Sequence, residues 1–314
     1  MTEQGREHLT VMPVEVLEFL RCRSGGLYVD GTLGGGGHAA LILEASAPEG
    51  RVVGLDIDSD AIAEAERFLE PFGDRAVVLR ESYRDVEAVL ERLGLGGIDG
   101  MVLDLGASSF QLERAARGFS FMQDGALDMR MDTRSATSAE ALISSLAESE
   151  LMELIRTFGE ERRARAIARA IVKARKAAPI KTTKELARIV TSCFPPSQRH
   201  GRLHPATRTF QALRIAVNDE LENIKAGLTA AIKVLKSGAR LAVISFHSLE
   251  DRLVKQAFLE ASRRCVCPRE FPQCICETVP LVKRITRRVV TAGEEETGAN
   301  PRARSARLRV VEKL

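Results

Sequence analysis

The stretch Tyr28–His38, read Y-V-D-G-T-L-G-G-G-G-H, governs the reading of the whole chain. Tyr28-Val29-Asp30 has the form of the end of a buried strand, and His38-Ala39-Ala40-Leu41-Ile42-Leu43 that of a helix start. Between them stand Gly31 and the run Gly34-Gly35-Gly36-Gly37. Successive glycines lose much conformational entropy on folding, so a plain turn rarely uses so many. Their physical use is close approach: without a Cβ, backbone N–H groups and a helix N-terminus can touch a ligand. Open α/β sheets bind ligands in such loops, at the carboxyl ends of parallel strands.

Working outward, Arg51–Asp58 predicts a second strand with Asp56 and Asp58 at its end, and Asp60–Leu69 a helix. Ala76–Arg80 predicts a third strand, ending near Ser82-Tyr83; Val86–Leu93 is helical, and Asp99–Gly106 predicts a fourth strand. Upstream, Thr10–Leu20 predicts a short helix with an early proline. This alternation predicts βαβ units and a parallel sheet. The rhythm then stops. Ser138–Phe158, Glu160–Lys176, Thr182–Cys193 and Ala206–Leu228 carry helical spacing, and Thr182-Thr183-x-Glu185 has the form of a capped start. Strand character resumes at Arg240–His247, followed by a helix over Leu249–Ala261. Leu281–Val290 and Ala306–Val311 predict an antiparallel finish, with Thr291–Pro301 as a loop. The expected architecture is an α/β sheet domain made of residues 1–110 and 219–314, interrupted by an all-helical insertion, 111–218.

The composition fits a globular enzyme, with 45% hydrophobic and 28% charged residues. No apolar run is long enough to span a bilayer, and the N-terminus lacks a signal pattern, which points to the cytoplasm. The net charge of only +3 means that a polyanionic partner must be met by local clusters. Four of the six cysteines crowd into Cys265, Cys267, Cys274 and Cys276. In a reducing compartment such a cluster suggests a metal such as structural zinc sooner than disulfides, with free thiols or loop packing as alternatives. Nothing in the residues sets the number of chains that associate, and a homodimer is compatible with them.

Asp56 stands about twenty residues past the glycines, where a carboxylate accepts hydrogen bonds from both hydroxyls of a ribose. Asp30, at the strand tip, would repel a pyrophosphate but suits the ammonium and sulfonium of S-adenosylmethionine, which disfavours a nicotinamide dinucleotide. Asp104 ends the fourth strand beside the first, at the switch point of a doubly wound sheet. His38 either caps and packs or reaches a cofactor carboxylate; His247 either lines a target pocket or is a satisfied core histidine.

Longer motifs then converge. They include D-G-T-L-G-G-G-G-H (Asp30–His38), D-L-G-A-S-S (Asp104–Ser109), R-G-F-S-F-M-Q-D-G-A-L-D-M-R-M-D (Arg117–Asp132) and G-E-E-R (Gly159–Arg162). H-P-A-T-R-T-F-Q-A-L-R-I-A-V-N-D-E-L (His204–Leu221), S-F-H-S-L-E-D-R (Ser245–Arg252) and N-P-R-A-R-S-A-R-L-R (Asn300–Arg309) complete the pattern. With these motifs the chain resembles, over nearly its whole length, the bacterial 16S ribosomal RNA cytosine-N4 methyltransferase family (RsmH/MraW). The resemblance implies a class I (Rossmann-like) methyltransferase sheet, S-adenosylmethionine as cofactor, and methylation of a cytidine N4 in the decoding centre of the small ribosomal subunit. It implies cofactor contacts at Gly36, Gly37, His38, Asp56, Tyr83, Asp104 and Gln111. Asp104, with hydroxyls or carbonyls of the Gly106–Ser109 segment such as those of Ser108 and Ser109, is then placed to accept from the target amine.

An RNA partner needs positive charge. Arg162, Arg163, Arg165, Arg169, Lys173, Arg175 and Lys176 cluster on the helical insertion. Arg199, Arg202 and Arg208 follow, and Arg302, Arg304 and Arg307 lie near the C-terminus. With no Trp and two Tyr, contacts to backbone and shape should outweigh base stacking.

Overall fold

The computed structural model describes residues 9–199, 201, 203–265, 267 and 275–314, with Ser109 described in its backbone alone. It divides into two compact units, residues 1–106 with 221–314, and residues 107–220.

The first unit is built on seven strands: β1 (Leu27–Asp30), β2 (Arg51–Leu55), β3 (Ala76–Leu79), β4 (Ile98–Asp104), β5 (Leu235–Ser245), β6 (Val282–Arg284) and β7 (Arg307–Lys313). Their order across the sheet is β3-β2-β1-β4-β5-β7-β6. β1 to β5 are mutually parallel, and β7 enters antiparallel between β5 and β6. The order reverses at β1/β4, so the crevice between their carboxyl ends is the switch point of the sheet.

Successive side chains of a strand point to opposite faces. Val53, Met101, Leu103, Leu241, Val243 and Val311 pack on one face against Val89, Leu90, Leu228, Val254 and Phe258. Val52, Val102, Ala242, Ile244, Leu308 and Val310 pack on the other against Val16, Leu20, Ile42, Leu43 and Ala65. Both faces are thus covered, which is why the central strands read as continuous apolar runs. The β5–β7 pairing is fastened by an ion pair, Arg240 to Glu312 at 2.9 Å, where these two residues stand opposite in register.

The second unit is helical, with its core at Leu127, Met129, Ile143, Leu151, Ile155, Ile167, Ile171, Leu186, Val190, Phe210 and Leu213. Its longer helices are Glu148–Gly159, Ala164–Ala177, Thr183–Ser192 and Thr207–Asn218. A Cβ on Gly159 would stand 2.6 Å from the Arg208 carbonyl, so glycine sets the closeness of that helix pair.

Several elements differ from the sequence expectation. Ser138–Phe158 is two helices, Ala139–Ser145 and Glu148–Gly159, because Leu146 is extended and the Glu150 carboxylate caps the Ala147 N–H at 2.7 Å. Ala206–Leu228 breaks at Asp219, whose φ of 49° is left-handed. A period-3.6 pattern continues through such a break, since both halves face apolar neighbours. Of Leu281–Val290 only Val282–Arg284 is a strand, with an isolated bridge from Val290 to Leu308. The expected loop Thr291–Pro301 contains a short helix, Glu294–Ala299.

Candidate active site

Four buried or half-buried carboxylates gather at the carboxyl ends of β1, β2, β4 and β5. Asp30 ends β1 and is fully buried. Asp56 follows β2, Asp104 ends β4, and Glu250, fully buried, lies one turn into the helix Ser248–Ala261 that follows β5.

The glycine segment winds among them. Gly31 N–H extends the β1–β4 ladder to the Val102 carbonyl at 3.0 Å, and Leu33 N–H reaches the Leu55 carbonyl at 2.9 Å. Gly34 and Gly36 have φ of 52° and 89°, left-handed conformations that favour glycine. A Cβ on Gly31 would meet Leu103 at 2.5 Å, and one on Gly37 would meet the Thr10 hydroxyl at 2.1 Å. The helix Gly37–Ala45 then starts, and its first intrahelical bond is Ala40 N–H to the Gly36 carbonyl at 2.9 Å. The Gly37 and His38 amides precede that bond, at the positive end of the helix dipole.

Asp30 Oδ1 accepts from Thr32 N–H at 3.2 Å, while its Oδ2 is buried without a hydrogen bond. Burial pushes its carboxyl up to about 7, aided by the charge of Asp56, with the Thr32 and Ala39 amides pulling the other way. Asp56 spends both oxygens on backbone, Oδ2 on Gly34 N–H and Oδ1 on Asp58 N–H, each at 2.9 Å. Burial nevertheless raises it to about 6, against those same two amides. Asp104 is pushed well above the ordinary carboxylate range, first by burial, then by the charges of Asp30 and Glu250, with Arg302 opposing. Its Oδ1 is buried without a hydrogen bond.

Such a cluster calls for positive charge. Desolvation and mutual repulsion both disfavour the ionised carboxylates until a cation joins them. S-adenosylmethionine supplies a sulfonium and an ammonium, so the orphaned oxygens of Asp30 and Asp104 suit it. A pyrophosphate would deepen the repulsion.

Other expected residues are placed as follows. His38 is buried with its ring Nε2 2.9 Å from the Val11 carbonyl, so its side chain is committed to packing. Tyr83, half-buried after β3, lies against Gly227, where a Cβ would come within 2.3 Å of the ring. Gln111 and Ser108 belong to the helical unit and cap each other: Ser108 N–H donates to Gln111 Oε1 at 3.1 Å, and Gln111 N–H to Ser108 Oγ at 3.3 Å. Ser109 opens that short helix. His247 is the N-cap of helix Ser248–Ala261. Cys265, Cys267 and Cys276 come together with their Sγ atoms within 4.8 Å, and Cys274 lies outside the described residues.

Sequence reasoning missed Thr32 and Glu250. Thr32 Oγ1 accepts the Asp104 N–H at 2.6 Å, and no local pattern announces that contact. Glu250 did carry a signal: it stands three residues after His247, at capping-box spacing, and its Oε2 accepts from Phe246 N–H at 2.8 Å.

The expected basic residues sort into two groups. Arg165, Arg169, Lys173 and Lys176 recur at steps of three or four along helix Ala164–Ala177 and are exposed, with Arg169 also 3.6 Å from the Glu148 carboxylate. Arg163 instead bonds the Cys193 carbonyl at 3.2 Å and stacks on Phe194, and Arg175 bonds the Ile143 carbonyl. Arg199, Arg208, Arg304 and Arg307 are likewise tied to Phe194, Glu160, Thr297 and Asp251. Arg202 lies outside the described residues. Among the described residues, no helix is long and apolar enough to cross a membrane.

Three relatives are each called ribosomal RNA small subunit methyltransferase H. That of Geobacter sp. (strain M21) is 55% identical over 307 residues, covering 98% of both chains. That of Pelobacter propionicus is 54% identical over 311 residues, 99% of both, and that of Syntrophotalea carbinolica 50% over 314 residues, the whole of both. Among solved structures, a putative rRNA methylase from Clostridium thermocellum aligns at TM-score 0.46 and 13% identity, over 98% of this chain and 99% of that one. The model of the MraW methylase family matches residues 5–314, and the chain belongs to that family.

Proposed function

We propose that this protein transfers the methyl group of S-adenosylmethionine to the exocyclic N4 of a cytidine in 16S ribosomal RNA, acting in the cytoplasm on the small subunit. The observation that carries the reading is the set of buried carboxylates, Asp30, Asp104 and Glu250 with Asp56, around the glycine segment of a sheet whose family is MraW. When bound, the cofactor supplies an electrophilic methyl on a cationic sulfur.

The chain's own residues bind, orient and accept. The amides of Gly36, Gly37 and His38 hold the cofactor carboxylate, Asp30 its ammonium, and Asp56 the ribose. Tyr83 lies against the adenine. The cytosine amine is a weak nucleophile, its lone pair being delocalised into the ring. Asp104 accepts an N–H of that amine and draws the nitrogen toward tetrahedral geometry, helped by acceptors among Gly106–Ser109. Alignment then contributes much of the rate, and the target base must leave its stack to reach a strand-end pocket. Residues 107–220 act as the RNA-recognition unit, with the stripe Arg165, Arg169, Lys173 and Lys176 meeting phosphates.

The test is mass mapping of methylated nucleotides in small-subunit RNA from a strain lacking this protein, followed by labelled methyl transfer in vitro. Loss and recovery of one N4-methylcytidine is expected. An unchanged methylation map would overturn the reading.

A further inference from the structure

The connection between helix Ser248–Ala261 and β6 is described at residues 262–265, 267 and 275–281. Its neck is closed by Leu281 N–H to the Ala261 carbonyl at 2.8 Å. Among its described residues there is no helix or strand, and Ile275 and Val279 are 72% and 77% exposed.

What its described residues bring together is sulfur. The Sγ atoms of Cys265, Cys267 and Cys276 lie within 4.8 Å of one another, and those of Cys276 and Cys265 are 3.8 Å apart. A disulfide would bring them to about 2.05 Å. Four thiolates at about 2.3 Å from a tetrahedral zinc stand about 3.8 Å from each other, the edge of the tetrahedron. Donors already address the sulfurs: Ile275 N–H reaches Cys267 Sγ at 3.4 Å, and the Thr278 hydroxyl lies 3.1 Å from Cys276 Sγ. Outer donors of this kind steady a metal-bound ligand.

We propose that Cys265, Cys267 and Cys276 hold a structural zinc ion that fastens this connection. Soft thiolates in a tetrahedral set select zinc. In the sequence Cys274 stands to Cys276 as Cys265 stands to Cys267. The proposal is independent of the methyl-transfer reading. The 14-residue helix Ser248–Ala261 runs from Glu250's end of the site to the loop, a length of about 21 Å at 1.5 Å per residue.

Protein purified without chelator should contain a single zinc ion per chain by elemental analysis. Exchange for cobalt(II) should give thiolate-to-metal charge transfer and the intense visible bands of a tetrahedral site. The triple variant Cys265→Ser/Cys267→Ser/Cys276→Ser should lose the metal and be cut by trypsin at Arg263 and Arg264 about tenfold faster. Its affinity for S-adenosylmethionine should stay within about twofold of wild type. Cys193→Ser, outside the loop, should keep the metal. Metal-free wild-type protein with freely reacting loop thiols, a Cys265–Cys276 disulfide found by mass mapping under reducing purification, or zinc retained by the triple variant would each overturn the proposal. Should the triple variant fail to fold, metal content and the cobalt spectrum of the wild type decide alone.

Discussion

The hydroxyl of Thr32 accepts the backbone N–H of Asp104 at 2.6 Å, joining the glycine segment after β1 to the tip of β4 across the switch point of the sheet. The Thr32 N–H meanwhile donates to Asp30 at 3.2 Å, so one residue sets the spacing of two carboxylates. Thr32→Val keeps the shape and strands the Asp104 N–H. It should cost about 1–3 kcal/mol in chemical denaturation and weaken cofactor binding, with Thr32→Ser close to wild type. Equal stability of Thr32→Val and Thr32→Ser would mean that the tie is unimportant.

The raised carboxyls of Asp30 and Asp56 predict a pH dependence with a defined sign. Their ordinary value is 3.8, and in the folded chain they rise to about 7 and about 6. Between those limits the folded state binds more protons than the unfolded state, so the stability of the cofactor-free protein falls as pH rises from about 4 to about 7. A cationic cofactor favours the ionised forms. Its affinity should therefore increase from about pH 5.5 to about pH 8, with proton release measurable by calorimetry in buffers of different ionisation enthalpy. Asp30→Asn should flatten both trends; an affinity independent of pH in the wild type would contradict the assignment.

Asp104 separates binding from chemistry. Asp104→Ala, assayed on small subunits at saturating cofactor, should lose about 100-fold or more in turnover. Full activity of this variant would remove Asp104 from the reaction.

Tyr83 is seated on Gly227, and a Cβ there would press to 2.3 Å from the ring. Gly227→Ala should shift the ring and raise the KM for cofactor, while Tyr83→Ala should do so by removing it. In the double variant the two effects should be less than additive, since they act on one contact. Strict additivity would argue for separate causes.

The exposed stripe and the tied arginines should behave differently. Replacing Arg165, Lys173 and Lys176 by Gln should weaken RNA binding and lower the slope of log affinity against log salt by about 0.7–0.9 for each phosphate no longer neutralised. Arg163→Gln, which removes the bond to Cys193 and the stacking on Phe194, should lower stability instead. An unchanged salt slope in the triple variant would count against a phosphate-binding stripe.

Much of this was legible in the residues because it is local. The apolar runs ending in Asp30 and Asp104, the glycines with left-handed φ at Gly34 and Gly36, and the spacing to Asp56 are all properties of short segments. Hydrophobic period alone was enough to tell the strands from the longer helices. The breaks at Leu146 and Asp219 were not legible, since a single backbone torsion interrupts a helix without disturbing the apolar pattern around it.

By itself, then, the sequence determined the parallel sheet and the family, each written in contiguous residues. Only the tertiary structure decided what individual side chains do. It turned the His38 ring to Val11, occupied both oxygens of Asp56 with backbone amides, and brought the charge of Glu250 to bear on Asp104 from more than a hundred residues away. The physical reason is that burial and charge act through space. A carboxylate's proton affinity depends on which other groups the fold moves beside it, and no spacing along the chain records that.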